Sequence, residues 1–242
     1  MATKKKAPEQ RSEPSLAAMM FRHASQETRY SSSVDDTIHV TDLFELCPRE
    51  YFLLRQYGLK RTRVTSPSLR ALFRMGKAYE LSLVDDMRLM GILGSDQVVL
   101  KDEKLGIVGH CDVALGNGKL VEIKAKNPAI FRLTKREPLA RDKFQCEVYL
   151  WLSRHQEMIL FTATWGGVKM PYRDHNISFN LKTPELVKKI VLPIREAQAG
   201  KKWPPRVCGS KEDPRAQLCP VADYCFAYPS GKIKTIKEMV GE

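Results

Sequence analysis

The sequence has no apolar run approaching the ~18–20 residues of a membrane span, and its N-terminus lacks an apolar signal core. A membrane-spanning helix is therefore not expected, and the chain reads as cytoplasmic. No internal repeat is visible, which sets aside solenoids and propellers. No two cysteines stand at Cys-x2–4-Cys spacing, the knuckle of most structural zinc sites. Acid is also short: 28 Asp+Glu stand against 40 Lys+Arg, a net charge of +12. A surplus of that sign favours a polyanionic partner, nucleic acid before membrane, and leaves the fold open. In a cytoplasmic chain the six cysteines are ligands or core fillers sooner than disulfides. What is present suffices for one sizeable domain, because 242 residues of which 43% are hydrophobic can bury a packed core.

The stretch with most chemistry runs from Gly106 to Lys126. It reads as two strands joined by a Gly116-Asn117-Gly118 turn. Glu122 and Lys124 share one strand face, and Val121 and Ile123 take the other. If the loop is residues 116 to 118, Asp112 falls directly across from Glu122, with Cβ atoms ~5 Å apart. Like charges opposed across a ladder are destabilising, so the pattern suggests a bound cation. With Mg²⁺ or Mn²⁺ held by Asp112 and Glu122, Lys124 is placed to orient a water or steady a phosphorane charge. That is a nuclease site in outline. The plain alternative is a surface hairpin with solvated charges. Asp102-Glu103-Lys104 fits the same acid-x-Lys pattern but follows Val98-Val99-Leu100 with no apolar alternation, and reads as a solvated turn.

The chain divides into residues 1–35, a basic tail opened by Lys4-Lys5-Lys6 in which only Leu16 to Phe21 could make a helical turn or two, a single domain over 36–230, and a C-terminal tail over 231–242. Thr41 reads as a helix N-cap. Pro48 opens a helix stopped by Gly58. A long amphipathic helix is expected from Ser68 to about Met90. Strands follow near 97–100, 107–115 and 119–125. A helix from about Pro138 to Arg154 comes next, then strands Met158 to Trp165 and Val168 to His175. A last helix runs from Thr183 to about Ala199, and the remainder is irregular. This is an α/β arrangement, a mixed central sheet flanked by helices.

Three groups of residues can join the hairpin chemistry. Glu80 follows Gly76 by one turn in the long helix and is a candidate third metal ligand; a glycine there suggests a close approach. Gln145 and Tyr149 are i,i+4 neighbours able to bond the lysine, a water or a phosphate. Cys111 and Cys146 sit inside a strand and a helix as buried fillers. Cys47, Cys208, Cys219 and Cys225 sit at helix ends or among prolines, where four thiolates match a [4Fe–4S] cluster or a structural Zn²⁺.

Taken together, Gly109-His110-Cys111-Asp112, Val121-Glu122-Ile123-Lys124 and Gln145-Cys146-Glu147-Val148-Tyr149 resemble the RecB-like branch of the PD-(D/E)XK nucleases. Thr41-Asp42-Leu43 leading into Cys47-Pro48-Arg49, with the three late cysteines, resembles its iron–sulfur subgroup, the AddB-type and CRISPR-associated adaptation exonucleases, for which a phage is one setting. The resemblance spans about residues 41 to 226. It implies a PD-(D/E)XK core, Asp112 and Glu122 as metal ligands, Lys124 as catalytic lysine, Gln145 and Tyr149 as supporting and DNA-contacting residues, and a cluster on Cys47, Cys208, Cys219 and Cys225. Two departures stand out. Glu80 occupies the place of an upstream histidine, and the first gap of the late cysteines is ten residues rather than two. The implied function is a metal-dependent DNA exonuclease acting on single strands or ends in recombination, repair or spacer acquisition, with a recombination or adaptation protein as partner. The alternative is a non-catalytic nucleic-acid-binding module stapled by the cluster or by zinc. Tyr51, Phe131 and Trp203 are candidates to stack on bases, or else core residues.

Overall fold

The computed structural model describes residues 37–59, 66–200, 202–229 and 231–241, with 15, 16, 19 and the backbone of 29–31 and 61–63. Most of the tail expected at 1–35, including Lys4-Lys5-Lys6, lies outside the described residues. Within it, Arg29–Ser31 is a strand, β1, which pairs antiparallel with Arg61–Arg63, β3.

A six-stranded mixed sheet organises the rest. Its strands are β2 (Ile38–His39), β4 (Leu93–Asp102), β5 (Ile107–Leu115), β6 (Leu120–Lys126), β7 (Glu157–Thr164) and β8 (Tyr172–Ser178). β5 is the hub. β4 runs antiparallel along one of its edges from Asp102–Ile107 to Leu93–Leu115. The other edge is shared: β2 takes Ile107 and Val108 in parallel, and β6 takes Val113 and Ala114 antiparallel. β6 then pairs parallel with β7, and β7 antiparallel with β8.

β6 is buried from Leu120 through Ile123 because helices lie on both sheet faces. One face carries α4 (Ala140–Ser153) and α5 (Thr183–Gln198), with a short 3₁₀ helix at Val40–Glu45. Phe144, Val148, Leu150, Ile190 and Ile194 pack there against Ile107, Cys111 and Leu160. The other face takes α2 (Pro67–Leu89), whose Leu83 and Val84 meet Val113, Val121, Ile123 and Ala163. Ser66 caps α2 by accepting from Leu69 N–H at 3.2 Å, and Pro67 fills its first turn. A third cluster joins Leu53 of α1 (Pro48–Gln56) to Val221 and Cys225.

Several expectations shift. Thr41 is not a cap: it lies inside the 3₁₀ helix, whose N-cap is His39, capping by backbone rather than side chain. β4 is longer than 97–100, because its polar start at Gly94-Ser95-Asp96 is an exposed edge with no apolar pattern to announce it. β8 begins at Tyr172, after the left-handed Gly166-Gly167 turn. A short helix α3 (Pro128–Leu133) was not foreseen; Asn127 caps it, accepting from Ile130 N–H at 2.9 Å. Among the described residues after Gly200 are three short helices, α6 (Pro214–Gln217), α7 (Ala222–Ala227) and α8 (Ile236–Val240). Residues 231–241, read as a tail, instead place Ile236 fully inside the main core, behind a Thr235/Glu238 capping box. Asp102-Glu103-Lys104 is the turn it was read as: Asp102 accepts from Leu105 N–H at 2.9 Å and exposed Glu103 pairs with Lys101.

Candidate active site

The β5–β6 hairpin closes on residues 116 to 118. Leu115 N–H donates to Lys119 O at 2.9 Å, and Gly118, left-handed at φ 83°, donates to Leu115 O at 2.8 Å. That register sets Asp112 opposite Glu122, but the ladder stops one step short, after Val113–Val121. The strands fork there, and side chains take over the missing rungs. Ile123 N–H donates to Asp112 Oδ2 at 2.8 Å. Tyr149 O–H donates to His110 O at 3.0 Å. Gly109 makes this possible, since a Cβ there would lie 2.5 Å from Tyr149 Cε1 and 2.8 Å from Val40 Cγ2.

Glu122 stands at the throat of the fork, 2% exposed. Its Oε1 accepts from Lys124 Nζ at 2.6 Å and from Gln145 Nε2 at 2.8 Å. Gln145 Nε2 also donates to the Tyr149 hydroxyl at 2.8 Å, so the expected i,i+4 pair is a bonded relay from α4 to the strand. Glu122 Oε2 is buried and has no hydrogen-bond partner among the described residues. Burial pushes the Glu122 carboxyl up to about 8, with the Asp112 charge adding to the rise and Lys124 opposing it. Burial works against the Lys124 ammonium, yet Glu122 beside it holds its proton more tightly than usual. Glu80 reaches the same region from α2, with Oε1 accepting from Ala125 N–H at 3.4 Å and Oε2 3.8 Å from Lys77 Nζ. Its carboxyl is raised by burial and by the charge of Asp112. The approach expected at Gly76 is an ordinary one: a Cβ there would sit 4.0 Å from Ala125 Cβ.

Glu122, Lys124, Gln145 and Tyr149 thus share one hydrogen-bonded network, and Asp112 and Glu80 meet it electrostatically. Among the described residues no three of His, Cys, Asp and Glu are arranged as a ready metal site.

Two residues of this neighbourhood were missed in the sequence. Lys126 Nζ is 2.7 Å from Asp142 Oδ2. The signal was present: 122, 124 and 126 alternate on one strand face, and 142, 145 and 149 fall on one helical stripe.

Cys47, Cys208, Cys219 and Cys225 are free thiols that line one pocket with Glu50, Arg206 and Arg215. Burial pushes Cys208 up to about 11 and Cys219 up to about 12, and neighbouring cysteines add to both rises. Cys47 and Cys225 shift the same way for the same first reason. Beside them, fully buried Arg49 donates through Nε to Pro204 O at 2.6 Å and through Nη2 to Pro229 O at 3.3 Å, clipping the late chain to α1. Cys111 and Cys146 are core fillers as read, both fully buried. Phe131 is buried beneath Arg173 at 4.2 Å, Trp203 stacks on Tyr228 at 4.6 Å, and Tyr51 donates to Thr37 O at 3.0 Å. All three are held in packing rather than displayed to a base.

The mixed α/β fold, a six-stranded sheet flanked by helices, is similar to that of solved exonucleases. The alkaline exonuclease LHK-Exo from Laribacter hongkongensis superposes with a TM-score of 0.53 at 12% identity, over 75% of this chain and 92% of that one. Its complex with dAMP gives 0.53 at 13% identity, over 68% and 88%. The crystal structure of SSO0001 superposes with a TM-score of 0.51 at 19% identity, over 90% of this chain and 98% of that one. At such identities the likeness is one of fold. No protein-family model matches the sequence, and no curated protein does. No helix among the described residues is long and apolar enough to cross a membrane.

Proposed function

We propose that this chain is a divalent-metal-dependent DNA exonuclease of the PD-(D/E)XK kind, acting on single strands or strand ends. The observation that carries the reading is Glu122 Oε2, an oxygen of a buried carboxylate left without a partner beside Asp112 and Lys124. A desolvated carboxylate with a free oxygen is a strong acceptor for a hard cation. The likeness of fold to an exonuclease supports the choice of reaction.

Asp112 and Glu122 would hold Mg²⁺ or Mn²⁺, with Glu80 the third oxygen donor. The bound cation supplies a water of lowered pKa and charge stabilisation at phosphorus. Lys124 faces the attacking water or the charge gathering on the phosphoryl oxygens. Gln145 and Tyr149 fix the Glu122 carboxylate from α4. The reaction joins a water oxygen to phosphorus as the bond to one bridging oxygen breaks, and that oxygen leaves with a proton. The chain's Lys and Arg excess would hold the DNA backbone, so binding should weaken with salt.

The four-cysteine pocket fits a [4Fe–4S] cluster in donor chemistry. Four thiolates would bring four negative charges into a buried pocket, and Arg206 and Arg215 are there to offset them. Its role in this reading is architectural.

Digestion of end-labelled single-stranded and duplex DNA with Mg²⁺, Mn²⁺ or EDTA tests the main claim. Metal-dependent shortening from an end is expected, lost in Glu122→Ala and Lys124→Ala. Equal activity in the parent and both variants would remove the catalytic reading and leave a nucleic-acid-binding module.

A further inference from the structure

The Lys126–Asp142 pair has no part in the reaction set out above. Its side chains are 17% and 9% exposed. Desolvation consumes much of the attraction in a pair so withdrawn from water, which makes it a poor device for merely joining a strand to a helix. Its geometry is uneven as well. Glu122 and Lys126 are four strand residues apart, about 13 Å. Their helical partners Gln145 and Asp142 are three residues apart, about 4.5 Å along the axis. The two contacts thus span unequal lengths of strand and helix, and Lys126 stands on the strand face that carries Glu122 and Lys124. A second ammonium is thus set on the same strand face as the acid cluster, one alternation beyond Lys124. Asp142 takes one of its three N–H donors.

We propose that Lys126 is a substrate-binding residue, steadied by Asp142, that donates to a backbone phosphate beside the scissile one. The identity of that phosphate rests on the nuclease reading, whereas contact with a nucleic-acid backbone can be measured without it.

The test is an anisotropy titration of a fluorescein-labelled single-stranded oligonucleotide with the full chain in EDTA, repeated across a salt series. Lys126→Gln is expected to weaken binding about five- to tenfold at low salt. The slope of log K against log salt should also become shallower by about 0.7, the value of one lost phosphate contact on a single strand. Lys126→Arg should keep the parental slope. So should Lys188→Gln, which removes the same charge from α5, where Lys188 pairs with Glu185 at 2.9 Å. A parental slope in Lys126→Gln overturns the proposal, since a purely structural pair would lower Tm and leave the slope alone. If Lys126→Gln does not fold, amine acylation of the parental chain decides. Bound oligonucleotide should protect Lys126 and not Lys188, and equal labelling of Lys126 with and without DNA overturns the proposal. A shallower slope with no metal-dependent digestion keeps the Lys126 contact and removes the nuclease reading. Digestion with an unchanged slope does the opposite, and no binding by the parental chain removes both.

Discussion

Glu122 is the residue whose chemistry depends most on its surroundings. Burial lifts its carboxyl from the ordinary 4.5 to about 8. The folded chain therefore holds this proton through a range in which the unfolded chain has released it, and stability must fall as pH rises from about 4.5 to about 8. A divalent cation on the same oxygens replaces the proton, so it should stabilise at the upper end of that window and not at the lower. Urea midpoints measured from pH 5 to pH 8 (roughly the limits of that window) should decline in EDTA and flatten in Mg²⁺. Glu122→Gln should abolish both the decline and the metal effect. A parental chain whose midpoint ignores Mg²⁺ at pH 8 would leave the carboxylates without a cation to bind.

At the scale of elements, the site depends on how closely α4 meets β5. Gly109→Ala should drive a methyl into Tyr149 and Val40, both nearly fully buried. Overpacking of this kind costs about 1–3 kcal/mol. The displaced tyrosine would loosen Gln145 and then Glu122. Denaturant melts should show the stability loss, and the digestion assay a fall in turnover beyond the fraction unfolded. Much of this geometry was legible beforehand. The Gly116-Asn117-Gly118 turn fixed the register, and period two placed Glu122 and Lys124 together. The fork was not legible, because register arithmetic continues a ladder and cannot see that β2 and β6 share one edge of β5. Lys126 and Asp142 were overlooked because a second lysine and a lone aspartate look like solvated charge until the helix is laid on the strand. α8 was missed because its apolar content is a single turn around Ile236, too short for periodicity to register.

Across the whole molecule, the cysteine pocket joins α1 to the chain's last third. About 160 residues separate Cys47 from Cys208, so a metal centre there would close a long loop and restrict the unfolded chain accordingly. Protein purified without oxygen should be brown and carry about four irons per chain. Stripping the iron should lower Tm by several degrees, and Cys219→Ser should abolish the colour. A colourless protein containing zinc would replace the cluster with a mononuclear staple. The forked sheet has a larger consequence. β6, β7 and β8 pair along their lengths, and β4 pairs with β5 across one register shift at Leu93/Ser95, whereas the backbone ladder between these two plates is short, Val113–Val121 and Ala114–Leu120, and is extended by the bond from Ile123 N–H to Asp112. Asp112 rides on one plate, Glu122 and Lys124 on the other. An ion gripping both acids would act as a clasp on a pair of jaws, so that loading the catalyst and stiffening the hinge become a single event.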